Sequence, residues 1–205
     1  MVLLTPDGQP GRLIRAFAEK AHLQGFLAGS VRLRRLDTYR TIEDQTRQDD
    51  MEGEARLIVP GARGKDVHYG GSFYNPVYLL CCSEPSHLSE PLKPSLGAWI
   101  ASITEPVVLL SALSSAVRVP GRQLIDAMLL KVRYSKDSEL QVAPSSEERY
   151  RLMLAQKPIS FEAEREWRYA LVLSGGVTDS PEELWLMIED IEGMAMSASE
   201  AVTAS

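Results

Sequence analysis

The stretch Phe161–Leu173 constrains the fold more than any other part of this chain. It opens with charges at a period of two. Glu162, Glu164, Glu166 and Arg168 fall on one face of an extended chain, and Phe161, Ala163, Arg165 and Trp167 fall on the other. Ala170 and Val172 then continue the charged face as apolar residues, while Tyr169, Leu171 and Leu173 keep the second face apolar. A strand apolar on both faces belongs inside a sheet. Glu166 and Arg168 therefore stand where a charged face becomes buried. A carboxylate at such a boundary is expected to take a raised pKa or to hold a polar ligand. The alternative is an edge strand showing ordinary surface charges.

The other segments supply the layers around that strand. Val77–Cys82 is a near-continuous apolar run and reads as a second interior strand. Val31 and Leu33 alternate with Arg32 and Arg34, the mark of a half-buried strand. Glu54–Val59, Ala98–Ile103 and Ala127–Tyr134 are further strands. Leu13, Ile14, Phe17, Ala18 and Ala21 follow helical spacing from Arg12 onward. Pro106 opens a helix over Val107–Val117, and Ser145 or Ser146 caps one reaching Leu154. Ser180-Pro181-Glu182-Glu183 starts a last helix running to about Glu192. Glycine-rich residues 60–75 and the Ser/Pro-rich residues 83–95 read as long loops. These elements predict an α/β (α+β) chain with a mixed, largely antiparallel sheet flanked by helices. With 205 residues it is expected to form one domain over 12–193, between a flexible lead-in, 1–11, and a flexible tail, 194–205.

A second charged segment, 37–52, reads as a helix capped by Asp37 and stopped by Gly53. Arg40, Glu43, Arg47 and Asp50 share one face, with Arg40–Asp44 and Glu43–Arg47 as i,i+4 pairs. Such pairs are either a solvated surface, each contributing about 0.3–0.5 kcal/mol, or a brace reaching the sheet. The second case predicts Arg40 or Arg47 close to Glu164 or Glu166. Glu43, Asp44, Asp50 and Glu52 also offer the oxygen ligands that a hard divalent cation prefers, which leaves a metal-dependent hydrolase or nuclease open.

The net charge of −6 argues against a broad nucleic-acid surface, although Arg32, Arg34, Arg35 and Arg40 form a local basic patch. Cys81 and Cys82 are adjacent in a strand and point to opposite faces, so they are expected as reduced thiols in a cytoplasmic protein. No apolar run approaches the ~20 residues needed to cross a bilayer, and no signal-peptide pattern opens the sequence. His22, His68 and His87 show no metal-ligand spacing, and phosphate-loop, dinucleotide and serine-hydrolase fingerprints are missing.

Tyr39-Arg40-x-x-Glu43-Asp44-x-x-Arg47-x-Asp49, Glu52-Gly53, Cys81-Cys82-Ser83, and Lys157 followed by Phe161-x-x-Glu164-x-Glu166-Trp167-Arg168 resemble the motifs of a widespread family of small uncharacterised bacterial proteins. The similarity spans about residues 12–173. More distantly, the order of residues is similar to that of ADP-ribosyltransferase toxins, whose fold clasps NAD between two small sheets. Those enzymes carry an arginine on an early strand, a hydroxyl residue on a middle strand and a Glu-x-Glu pair on a late one. The resemblance implies an NAD-using enzyme, a toxin or phage-defence effector, in which Glu166 holds the nicotinamide ribose and Glu164 orients or deprotonates the acceptor. It makes Arg32 or Arg34 the early arginine and Ser83 or Ser72 the middle hydroxyl, and it implies NAD contacts from Arg32, Arg40, Arg47, Arg168 and Ser83. The chain departs from that pattern in having no Ser-Thr-Ser triplet and in its Tyr-Arg-x-x-Glu-Asp helix. A non-enzymatic antitoxin, phage accessory or assembly factor, with a protein partner or as a homo-oligomer, is the competing reading.

Overall fold

The computed structural model describes residues 8–41, 55–60, 66–71, 73–85, 97–135, 141–142 and 146–198. In chain order it contains β1 (Leu13–Phe17), α1 (Lys20–Leu27), β2 (Ser30–Arg35), β3 (Ala55–Pro60), β4 (Asp66–Gly71), β5 (Val77–Ser83) and β6 (Trp99–Ile103). Then follow α2 (Pro106–Ala116), β7 (Leu124–Lys131), β8 (Arg133–Ser135), β9 (Gln141–Val142) and α3 (Ser146–Ala155). The last strands are β10 (Gln156–Pro158), β11 (Glu166–Leu173), β12 (Glu183–Met187) and β13 (Ala195–Ser197).

An eight-stranded, antiparallel sheet carries the core. β11 is buried along its whole length and lies between β7 and β5, as the two-faced apolar pattern requires. One face of the sheet packs on α1 and α2 through Leu23, Phe26, Leu109, Leu110 and Leu113. The other face packs on Leu36 and on Leu154 and Ala155 of α3. A small sheet (β4-β3-β9) and a parallel pair (β10-β8) complete the arrangement. The fold is thus the expected α/β type with a largely antiparallel sheet.

The sheet forks at β5. One edge of β5 is taken by β11 in continuous register from Val77 to Ser83. The other edge is shared: β2 pairs at Tyr78 and Leu79, and β1 pairs only at Ser83. Between those contacts β1 and β2 lean apart, and α1 joins their diverging ends. Beyond the fork, β1 continues to β6 and β13, and β2 continues to β12.

Several elements differ from expectation, each for a physical reason. Residues 13–17 form a strand, because Leu13 and Ile14 are both buried, on opposite faces, between β5 and β6. The helix starts only at Lys20. Residues 161–164 belong to a 3-10 helix, Ile159–Glu164, and Arg165 turns the chain with a left-handed φ of 42°, so the strand begins at Glu166. The helix foreseen after Ser180 is strand β12. Leu184 and Leu186 point inward at period two, and the Ser180 hydroxyl donates to the Gly176 carbonyl (2.7 Å), closing a turn instead of capping a helix. Leu36–Thr41 is a 3-10 helix, and the rest of the expected helix to 52 lies outside the described residues. Asp66–Gly71, read as loop, pairs with β3. Met194 and Ala195 are buried and β13 pairs with β6, so the ordered fold runs past the expected boundary at 193. None of the described helices is long and apolar enough to cross a membrane.

Candidate functional site

The fork encloses a cavity of about 520 Å³. Arg15, Ala16 and Phe17 of β1 form one wall, and Ser30, Arg32 and Arg34 of β2 form the other. Cys81, Cys82 and Ser83 close its base, and Ala21, His22, Gly25 and Phe26 bring α1 across the diverging end. Lys157, Glu164, Glu166 and Tyr39 reach it from the α3 side, and Trp185 of β12 stands at its edge.

The carboxylates sit in a compact charge cluster. Lys157 Nζ lies 2.8 Å from a carboxylate oxygen of Glu164 and 2.8 Å from one of Glu166. Arg168 Nε donates to Glu166 Oε1 (2.8 Å), and Arg168 Nη1 donates to the Leu154 carbonyl (2.8 Å). The Glu166 backbone N–H donates to the Tyr134 hydroxyl (2.8 Å), which fixes the first residue of the strand. Burial alone would raise the Glu166 pKa, but the charges of Arg168 and Lys157 overcome it and hold the carboxyl well below the usual range. Glu164 goes the other way. Burial raises its pKa, Lys157 opposes this, and the neighbouring Glu166 charge adds to the rise. Two acids two residues apart are thus driven in opposite directions.

Cys81 shares the face of β11 that bears Glu166 and Arg168, since it lies opposite Arg168 in the ladder. Its Sγ is 3.8 Å from the Tyr39 hydroxyl. Burial and the Glu166 charge raise the thiol pKa well above its ordinary value, and burial likewise keeps the Tyr39 phenol protonated. Burial also pushes Cys82 up to about 12. Neither thiol is an activated nucleophile.

The arginines give the cavity its sign. Among the described residues its lining carries four cationic side chains, Arg15, Arg32, Arg34 and Lys157, against two carboxylates. Outside the lining, Glu183 pairs with Arg32 and lies 3.6 Å from Arg34, while Arg168 adds a charge behind Glu166, so among the described residues the surplus of two positive charges persists. Arg15 Nη1 donates to the Cys81 carbonyl (2.8 Å), a group that a neighbouring strand would take if the sheet did not fork. Arg15 Nε and Arg32 Nε are buried and have no hydrogen-bond partner among the described residues. A buried donor left unmade costs about 1–3 kcal/mol, so both are suited to an acceptor entering the cavity.

Of the residues singled out from sequence, Glu164, Glu166, Ser83 and Arg32 meet in this one cavity. Arg168 does not line it and acts through Glu166. The Arg40 side chain and all of Arg47 lie outside the described residues, as do Glu43, Asp44, Asp50 and Glu52. Among the described residues, the cations that meet Glu164 and Glu166 are Lys157 and Arg168. Sequence reasoning missed Arg15 and Trp185, because both were assigned to helices. Read at period two, Trp185 projects from β12 on the side away from buried Leu184 and Leu186, whereas Arg15 shares its face with buried Leu13 and gives no such signal. Among the described residues no group of three or more His, Cys, Asp or Glu side chains is placed to hold a metal ion.

Comparison of the chain with known protein families, curated proteins and solved structures returned no match.

Proposed function

We propose that this protein binds NAD as a substrate in the forked cavity and acts as an ADP-ribosyltransferase-like enzyme. The observation that carries the reading is the pair of guanidinium donors without a partner among the described residues, Arg15 Nε and Arg32 Nε, in a cavity whose described lining carries surplus positive charge. That combination favours a pyrophosphate, whose oxygens accept paired hydrogen bonds from guanidinium groups. A cavity of about 520 Å³ also lies within the usual size range for small-ligand sites, roughly 300–1,000 Å³.

The acid pair supports the chemistry. Breaking the glycosidic bond of NAD sends its electron pair to the nicotinamide ring and leaves an oxocarbenium-like ribose, which an acceptor oxygen or nitrogen then attacks. A carboxylate that stays ionised stabilises the developing positive charge, and Glu166 is held ionised. The acceptor's proton needs a base, and Glu164, with its raised pKa, is the better proton acceptor of the two. Lys157 bridges them and fixes their spacing. The biological setting in this reading is a toxin or phage-defence effector.

The rival is a non-enzymatic binding or regulatory protein. It is favoured by the internal matching of the Glu166 charge by Arg168 and Lys157. The two readings part on turnover. A thermal-shift series with NAD, ADP-ribose, Mg²⁺ and Mn²⁺ tests binding, since a ligand at 100 times its Kd adds about 2.7 kcal/mol. Nicotinamide release, measured in the same protein and in Glu164→Gln, tests chemistry. Binding and release that Glu164→Gln abolishes support the enzyme. Binding without release supports the rival, and no shift with either nucleotide removes the NAD reading.

A further inference from the structure

The outward face of β12 is unusual. Glu183, Trp185 and Met187 point out while Leu184 and Leu186 point in, and outward positions on a half-buried strand are ordinarily polar. Trp185 is 60% exposed and Met187 is 68% exposed. A large aromatic left open to solvent is informative when it adjoins a polar site. Here the register places Trp185 opposite Arg32, and Glu183 opposite Arg34, so one face carries an aromatic ring flanked by two guanidinium groups. The Arg32 guanidinium carbon lies 5.8 Å from the centroid of the Trp185 ring. Arg32 also pairs with Glu183, which holds it beside the ring and leaves most of the indole uncovered. Trp185, Arg32 and Arg34 all line the cavity, so this face continues directly into it.

We infer that Trp185 is a stacking platform for a purine base, and that Arg32 beside it takes the adjoining phosphate. The base would lie at the mouth of the fork, with the phosphates running inward toward Arg15 and the remaining sugar toward Glu164 and Glu166. This assigns an orientation: adenine end outside, reacting end at the acid pair. The inference rests on the nucleotide reading of the cavity and goes beyond it by naming the residue that selects the base. Stacking suits this place because an indole and a purine present flat π faces, and the neighbouring guanidinium both orients the ring and neutralises the phosphate.

The test is equilibrium binding of AMP, ADP-ribose and ribose 5-phosphate to the full chain and to Trp185→Ala and Trp185→Phe. Base stacking on an aromatic side chain contributes roughly 1–3 kcal/mol, so Trp185→Ala is expected to weaken AMP and ADP-ribose by about tenfold or more. Trp185→Phe keeps a ring and is expected to hold within a few-fold of wild type. Ribose 5-phosphate, which has no base, is expected to bind all three proteins alike. AMP should also quench tryptophan emission in wild type and lose most of that quenching in Trp185→Phe, although Trp99 and Trp167 remain. The inference is overturned if AMP does not bind wild type, if Trp185→Ala leaves AMP affinity unchanged, or if it weakens ribose 5-phosphate equally. A protein that binds AMP through Trp185 but releases no nicotinamide from NAD keeps the subsite and loses the enzyme. One that releases nicotinamide while Trp185→Ala is silent keeps the enzyme and loses the subsite.

Discussion

Arg168 and Glu166 stand two residues apart on one face of β11, joined by an Nε–Oε1 hydrogen bond of 2.8 Å, with only 1% and 3% of their surfaces exposed. A full ion pair thus sits inside the central strand. Taking two charges out of water is unfavourable and is offset only when the pair is well bonded. The Leu154 carbonyl and Lys157 supply further partners.

Removing one member should therefore be worse than removing both. Glu166→Gln leaves Arg168 buried without its closest counter-charge and is expected to destabilise the fold by about 3–5 kcal/mol. Glu166→Gln combined with Arg168→Met should recover part of that loss. Urea melts of the two single variants and the double variant measure it, and a double variant that loses the sum of the single effects contradicts the prediction. For the same reason Glu164→Gln is the cleaner test of chemistry.

The acid pair gives stability an unusual pH dependence. Glu166 has a folded pKa below its ordinary value of 4.5, so its contribution is present above 4.5 and is lost as pH falls through the folded value. Glu164 has a raised folded pKa, so its contribution is full below 4.5 and is lost as pH rises through the folded value. Between the two lies a state with Glu164 protonated and Glu166 ionised. Carbon-detected NMR of the glutamate carboxyls should show one midpoint above 4.5 and one below. Glu164→Gln should flatten the stability curve on the side above 4.5.

Arg15 is expected to dominate anion affinity. It lines the cavity, and no carboxylate is paired with it among the described residues. A hydrogen bond to a charged group contributes about 1.5–3 kcal/mol, so Arg15→Ala should weaken ADP-ribose by roughly ten- to hundredfold. Arg15→Lys should recover charge but not the two-pronged geometry. Calorimetry at two ionic strengths checks both points, because the wild-type affinity should fall as salt rises.

Gly29 fixes the joint between α1 and β2. Its φ is +93°, and a Cβ there would come within 2.3 Å of the Ile188 carbonyl oxygen. The same residue's carbonyl accepts from the Ile188 N–H (2.8 Å). The left-handed conformation alone costs an L-residue about 1–2 kcal/mol, and the clash adds to it. Gly29→Ala is expected to lower the thermal midpoint clearly, while Gly25→Ala, which meets nothing within 4 Å, should not.

The sequence made the centre of the sheet legible and its margins obscure. Trp167–Leu173 and Val77–Cys82 announced interior strands because apolar residues on both faces have one natural home, whereas the extended reading of 161–165 failed at the 3-10 helix and turn before Glu166. Glu164 and Glu166 stood out because charge beside such a strand needs a partner, whereas Ser83 and Arg32 were singled out through the resemblance. Arg15 was not, because Leu13, Ile14 and Phe17 fit a helical stripe as well as a strand, and pairing with β6 decides between them. Trp185 was hidden by Ser180-Pro181-Glu182-Glu183, a local helix signal overridden by the pairing of β12 with β2. The fork itself has no local signature, since it arises from where two distant strands meet β5.

That branching of the sheet also sets when the site can exist during folding. Its walls come from β1 and β2 near the start of the sequence, its base from β5, and its acids from the entry to β11. Contacts so far apart along the chain form late, because each closes a long loop. No fragment or partly collapsed state owns the cavity. A ligand that occupies it recognises the finished topology alone, so recovery of binding during refolding would track completion of the sheet rather than the appearance of secondary structure.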